Sequence, residues 1–231
     1  MSIQYLQFCP IAKAAEIIGE RWTVLIIREL LLGSTRFNEL QRGLSHISPT
    51  LLTKRLGQLV DYELVVRKNL PEQRRAEYQL TAAGKELAPV VLGLGEWGMR
   101  WARGQMTDDE LDVELLMTEF NRRLDSSQLP GGRTVIKFHF PKLDSFSLWW
   151  IVVNDDGSRE LCVNNPGKEV DITISSELRA LTEVWAGDIS ISQARKEGRM
   201  QVNGNPVLVR TIKSWLGIGL MARIRPAESS S

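Results

Sequence analysis

Thr50, Thr53 and Lys54, in the stretch "SPTLLTKRLGQLV", carry the first chemistry legible in this chain. In a helix, residues three and four apart are surface neighbours, so two hydroxyls and an ammonium would share one patch. Such a patch can hydrogen-bond base edges or phosphate oxygens, but it contains no nucleophile paired with a base. Two more cations, Arg74 and Arg75, stand together in the turn-like "LPEQRR". Guanidinium groups at a loop tip suit phosphates, which they grip through paired N–H donors. Arg36, just ahead of "FNEL", adds another guanidinium. Singly, each of these is what a solvated surface shows. Their joint spacing is what argues for a polyanionic partner.

Other chemistries find no footing. The two histidines, His46 and His139, and the two cysteines, Cys9 and Cys162, have no metal-ligand spacing. There is no phosphate-binding Walker loop, no G-x-S-x-G and no H-E-x-x-H. The sequence therefore points away from catalysis and implies no metal and no cofactor. "GLGEWG", Gly93 to Gly98, fits G-x-G-x-x-G, but it sits inside a helical pattern and lacks the strand that a dinucleotide fingerprint requires. "GIGLMA", Gly217 to Ala222, follows a helix-like stretch and is rejected too.

The elements that must position the cations can be read in order. Ile11, Ala14, Ala15 and Ile18 have helical spacing, with Gly19 as a stop. Trp22, Leu25, Ile26, Leu30 and Leu32 predict a second, buried helix ending at Gly33. "RFNELQRGL" is a short third one. Ser48 is a good N-cap and Pro49 suits the first helical position, where its missing N–H costs nothing. Leu52, Leu56 and Leu59 then form the inner stripe, leaving Thr50, Lys54 and Asp61 on the opposite side and Thr53 on the flank. "LVVRKN" and "AEYQLT" read as strands flanking the "LPEQRR" turn, and Thr81 can cap the next helix. Helix, turn, capped helix and hairpin is the winged helix-turn-helix order, in which the second helix suits the major groove and the hairpin tip the flanking backbone. Candidate DNA contacts are Arg36, Ser48, Thr50, Thr53, Lys54, Arg74 and Arg75. Leu87, Val91, Leu94, Trp97 and Trp101 lie along one further helical stripe, a candidate dimer element whose alternative is packing within the monomer.

After "GQMT", Gly104 to Thr107, the pattern changes. Thr107 with Glu110 forms a capping box before a helix bearing Leu111, Leu115, Phe120 and Leu124. Four β-like runs follow: "TVIKFHF", "FSLWWIVV", "RELCVNN" and "VDITIS", the second and third joined by the hairpin signal "NDDG". Helices near 176–185 and 191–197, a short strand "MQVNGN" and a helix over 206–215 close the chain. A sheet followed by helices predicts an α+β layer. The expected domains are 1–104 and 105–231.

Two resemblances bear on these halves. "CPIAKAAEIIGERWTVLIIRELLLGSTRFNELQRGLSHISPTLLTKRLGQL" with "LTAAGKEL" resembles the HxlR-type winged-helix transcriptional regulators, through Cys9-Pro10, Gly19 with Trp22, Arg36-Phe37, Glu39-Leu40 and Ile47-Ser48. The resemblance implies a dimeric regulator of double-stranded DNA with a near-palindromic operator. The "NLPEQRRAEY" wing departs from the family's commoner Pro-rich form. Cys9 matches a cysteine that some members use as a redox sensor; a helix N-terminus favours thiolate, while the alternative is a small apolar residue. "VDITISSELRALTEVWAGDISISQARKEGRMQVNGN" is similar to the sterol-carrier-protein (SCP) type lipid-binding fold. That implies an apolar tunnel for fatty acyl chains or sterols, with Phe138, Phe140, Trp149, Trp185, Met200 and Trp215 as candidate lining, or else an ordinary core.

Bulk properties agree with two jobs. The 231 residues suffice for two modest cores. Lys/Arg and Asp/Glu number 14 and 10 up to Gly104, a net +4, and 15 and 18 beyond it, a net −3. The basic half suits DNA. No apolar run reaches the ~18 residues of a membrane span, and the start is unlike a signal peptide, so a cytoplasmic location with no membrane partner is expected. The rival readings are a winged-helix dimer scaffold without regulated DNA binding, carrying either a lipid-carrier domain or one that only braces the dimer.

Overall fold

The computed structural model describes residues 4–70, 75–103 and 106–227, with the backbone alone at Leu70 and Arg75. Two compact units result, Met1–Trp97 and Gly98–Ser231, so the division falls earlier than the Gly104 expected from composition.

In the first unit, α1 (Pro10–Ile18) has proline at its first position and Gly19 at its end. Trp22, in the left-handed region at φ 79°, turns the chain into α2 (Thr23–Leu31). The third helix, α3 (Phe37–Gly43), is held at its start by Glu39, whose Oε2 accepts from the backbone N–H groups of Thr35 and Arg36, each at 3.0 Å. Next comes α4 (Pro49–Asp61), where Ser48 Oγ accepts from Leu51 N at 3.3 Å and satisfies one of the orphan donors of the first turn.

Strands β1 (Val65–Leu70) and β2 (Arg75–Leu80) pair antiparallel, from Val65 opposite Leu80 to Leu70 opposite Arg75. A single bridge from Arg36 to Glu77 ties the start of α3 to this hairpin. Thr81 then caps α5 (Ala82–Glu86) while its hydroxyl donates to Glu63 O at 2.7 Å. A Cβ on Gly84 would lie 2.2 Å from Leu64 O, so only glycine lets α5 seat this closely on the root of the hairpin.

The unit's core joins Ile26, Ile27, Leu30, Leu40, Leu44, Ile47, Leu52, Leu56, Leu59, Val65 and Tyr78. The final helix of the unit, α6 (Ala88–Trp97), passes into a π-helical turn, Gly98–Ala102. The single stripe read from Leu87 to Trp101 is therefore interrupted.

In the second unit, the Thr107–Glu110 pair closes a short 3₁₀ turn, Asp108–Glu110, rather than the long helix. That helix, α7 (Val113–Arg123), begins one turn later under its own cap, Asp112, whose Oδ1 accepts from Leu115 N at 3.0 Å. Two caps thus stand close together, and the extended backbone at Leu111 separates them. The strands are β3 (Thr134–His139), β4 (Leu148–Val153), β5 (Arg159–Cys162), β6 (Ile172–Ser176) and β7 (Met200–Gly204). They form one sheet in the order β5-β4-β3-β6-β7, with β3 and β6 parallel and every other pair antiparallel. The helices α8 (Leu178–Ala186) and α9 (Ile191–Lys196) separate β6 from β7, and α10 (Pro206–Trp215) comes after β7.

Alternation along the strands sends Ile136, Phe138, Trp149, Ile151, Ile172, Ile174 and Met200 into one core with Phe120, Leu181, Val184 and Trp215 of the helices. The opposite face carries a smaller cluster, Val135, Trp150 and Val152, with Cys162 and Val170 packed on it. Lys137 lies over the Trp150 ring, its Nζ 5.9 Å from the centroid. Among the described residues no helix is long and apolar enough to cross a membrane.

Candidate nucleic-acid interface

The inner side of α4 is set by Leu52, Leu56 and Leu59, all buried, and by Arg55, which is only 8% exposed. Arg55 Nη2 meets Glu20 Oε2 at 2.6 Å, its Nε donates to Arg21 O at 3.0 Å, and its Nη1 donates to Gln58 Oε1 at 2.7 Å. This arginine pins α4 to the end of α1 and is spent there. The sequence carries the signal for this: Arg55 falls between Leu52 and Leu59 on the buried period. With that side fixed, Thr50, Lys54 and Gly57 are exposed on the other and Thr53 is exposed on the flank. Thr53 Oγ1 donates to Pro49 O at 2.9 Å. The exposed Ser48 uses its oxygen as a cap acceptor, which leaves its O–H free to donate outward.

Arg36 is half-committed. Its Nε lies 3.5 Å from Glu77 Oε1 with 41% of the side chain exposed, so the guanidinium both braces α3 against β2 and presents N–H groups to solvent. Arg74 lies outside the described residues, and of Arg75 only the strand backbone is described, opposite Leu70. Two further cations escape the sequence reasoning. Arg67 and Lys68 on β1 are exposed, next to the hairpin tip, and in "LVVRKN" the β pattern masks them.

The candidate dimer residues divide. Leu87 and Val91 pack, partly buried, against the first unit's core. Leu94 and Trp97 are 52% and 61% exposed, and Val90 and Leu92 are exposed beside them. A Cβ on Gly93 would meet nothing within 4 Å, so the chain's own packing gives no reason for that glycine. Trp101, on the π-helical turn, is also exposed. Cys9 is half-buried at the cap position of α1 and has no disulfide partner.

In the second unit, Phe138, Phe140, Trp149, Met200 and Trp215 are all buried in one cluster, and Trp185 packs against it. Phe138 stacks on Phe120 at 5.9 Å. The indole of Trp215 donates to Leu208 O at 3.0 Å and that of Trp149 to Phe146 O at 2.7 Å. Trp185 differs: its indole N–H is buried with no acceptor among the described residues. At the start of α8, a hydrogen bond from Lys142 to Glu177 holds that carboxyl below the usual carboxylate range, and Arg199 adds to the effect. Among the described residues no group of three or more His, Cys, Asp or Glu side chains could hold a metal ion.

Comparison with known proteins bears on the first unit. Residues 17–106 match the family described as HxlR-like helix-turn-helix. The chain is 39% identical over 97 residues to the uncharacterized HTH-type transcriptional regulator YvaP of Bacillus subtilis (strain 168), covering 41% of this chain and 90% of that protein. It is 36% identical over 94 residues to a second such regulator, sll1512 of Synechocystis sp., covering 40% of this chain and 70% of that one. Among solved structures, the redox regulator HypR in its reduced form matches at 32% identity and a TM-score of 0.37, over 39% of this chain and 90% of that chain. The family match over residues 17–106 and the similarity to YvaP, covered over 90% of its length, agree: the chain belongs to the HxlR-like helix-turn-helix family of transcriptional regulators.

Proposed function

We propose that this protein is a dimeric DNA-binding regulator whose second domain takes an apolar effector. The observation that carries the DNA reading is α4: capped by Ser48, locked inward by Leu52, Arg55, Leu56 and Leu59, and exposed at Thr50, Thr53 and Lys54. Helices of this size fit the major groove, and their hydroxyl and ammonium groups reach base edges and phosphates. Arg36, Arg67, Lys68, Arg74 and Arg75 then supply backbone contacts on either side. The dimer reading is supported by the exposed apolar surface of α6 and the unfilled space at Gly93. Two copies would present two α4 helices to a near-palindromic operator.

The test is selection of a duplex from a random-sequence pool by the full-length protein, then titration across salt concentrations. Affinity is expected to fall steeply with salt. The Lys54→Ala, Arg74→Ala double variant should bind more weakly with a shallower slope, by about one unit for each phosphate that is no longer neutralised. Binding indifferent to both salt and the double variant would favour the scaffold reading.

For the second domain, the strand order with β3 and β6 parallel, and helices packed on one sheet face, supports the SCP-like reading. The buried, unpartnered indole N–H of Trp185 supports a ligand with an acceptor, since such donors are nearly always satisfied. An effector acts on DNA binding only by favouring one conformation of the protein. One observation favours the bracing reading instead: five of the six candidate lining residues are buried together in one packed core. Native mass spectrometry of the purified protein, before and after denaturation, separates the two. A dimer that releases a small apolar molecule supports the effector; a bare dimer supports bracing.

A further inference from the structure

We infer that Thr53 reads the C5-methyl group of a thymine, with its own methyl and not its hydroxyl; this rests on the DNA-binding reading above. In a helix the methyl of a threonine is kept out of the staggered position over the preceding turn, whereas its oxygen can fold back and bond the carbonyl three or four residues earlier. Thr53 has placed its oxygen in the position that folds back along the helix, where it donates to Pro49 O at 2.9 Å. The methyl takes one of the positions left to it, and the residue is exposed on the flank of α4, between the buried stripe of Leu52, Leu56 and Leu59 and the outermost Thr50 and Lys54. The hydroxyl's only proton is thereby directed to the helix backbone, so Thr53 offers a partner its methyl and an acceptor oxygen but no donor.

Its neighbours on that surface differ in kind. The Thr50 hydroxyl, one turn earlier, has no protein partner among the described residues, and Lys54 carries a charge. The outer side of α4 thus presents a hydroxyl, a methyl and an ammonium within about one turn, three probes for three kinds of groove chemistry. Of the four bases only thymine displays a methyl in the major groove, and contact with it is a standard form of sequence discrimination.

The experiment uses the duplex selected by the wild-type protein and replaces its thymines one at a time with uracil, which removes the methyl and nothing else. One thymine in each half-site is expected at which uracil weakens binding by about three- to five-fold, the worth of one buried methyl. Thr53→Ser, which keeps the hydroxyl and loses the methyl, should weaken binding to the thymine duplex by the same factor and respond no further to uracil. Thr53→Val, which keeps the outward methyl, should retain the thymine preference. If no uracil substitution matters, or if Thr53→Ser keeps full discrimination while Thr53→Val loses it, the hydroxyl is the reader and the inference fails. Selection that enriches no duplex at all overturns the DNA reading itself, a distinct result.

Discussion

Glu29 shows how much one residue can decide in this fold. It is a carboxylate with no solvent exposure, embedded in the apolar run "VLIIRELLLG". Its Oε1 accepts from Arg28 Nη2 at 2.8 Å and its Oε2 from Ser34 Oγ at 3.3 Å. The same Arg28 Nη2 reaches Gly43 O at 3.0 Å. A Cβ on Gly43 would sit 2.0 Å from Glu29 Oε2, so α2 and α3 dock through a held carboxylate against a residue with no side chain. Because Glu29 is fixed by its partners, it cannot swing aside cheaply. Gly43→Ala is therefore expected to destabilise the first unit by about 1–3 kcal/mol, the usual range for overpacking. Glu29→Ala removes the obstacle and should also destabilise, by roughly 2–4 kcal/mol, since Arg28 and Ser34 each lose their hydrogen bond to the carboxylate. In the Glu29→Ala background, however, the Gly43→Ala penalty should shrink to below about 1 kcal/mol. Urea melts of the four proteins measure this; an undiminished penalty would show that the carboxylate is not what excludes the Cβ.

At the level of elements, α4 was legible because local signals agree: a serine cap, a proline at the first position and a leucine stripe at helical period. The β1–β2 hairpin and the Asn154–Ser158 turn between β4 and β5 were legible for the same reason. What was not legible depends on competition or on distance. Thr107 and Asp112 are both good caps, and sequence alone does not say which one starts α7. The π-helical turn after Trp97 has no sequence signature. The parallel pairing of β3 with β6 joins residues about 36 apart, for example Ile136 with Ile172, and long-range pairing leaves no local mark. The candidate DNA residues on α4 were found because exposure follows helical period, whereas Arg55 shared their chemistry and was turned inward by its place on the leucine stripe. Gly57 tests the element's own energetics. It sits inside α4 where an added Cβ meets nothing within 4 Å, so Gly57→Ala gains helix propensity without a clash. It should stabilise the first unit by about 0.5–1 kcal/mol and raise its melting temperature by a few degrees. A lowered midpoint in calorimetry would contradict this account of α4.

For the whole molecule, the question is what covers the apolar surface that the first unit leaves open. Val90, Leu92, Leu94 and Trp97 on α6 are exposed, and so are Tyr5, Leu6, Phe8 and Ile11 at the start of the chain. Scattered exposed apolar residues are ordinary, but a helix that exposes four of them around a glycine with open space above it is what an association surface presents. A second copy is the occupant that the proposed function requires, because two α4 helices are needed to read a near-palindrome. In a two-fold interface each residue is counted twice, and since Leu94 and Trp97 are 52% and 61% exposed, burying the remainder contributes roughly 1 kcal/mol or more per side chain in each copy. Replacing Leu94 by glutamate removes that gain and places two like charges across the axis. Sedimentation equilibrium should then find wild type at twice the mass of one chain, and Leu94→Glu dissociated at the same concentration, its self-affinity at least about 30-fold weaker by the same arithmetic. Since Leu94 is remote in sequence from Thr50, Thr53 and Lys54, the variant should still bind a single half-site while losing the tighter binding to the paired one. A Leu94→Glu protein that stays at the doubled mass would move the dimer surface off α6, and with it the spacing of the two recognition helices.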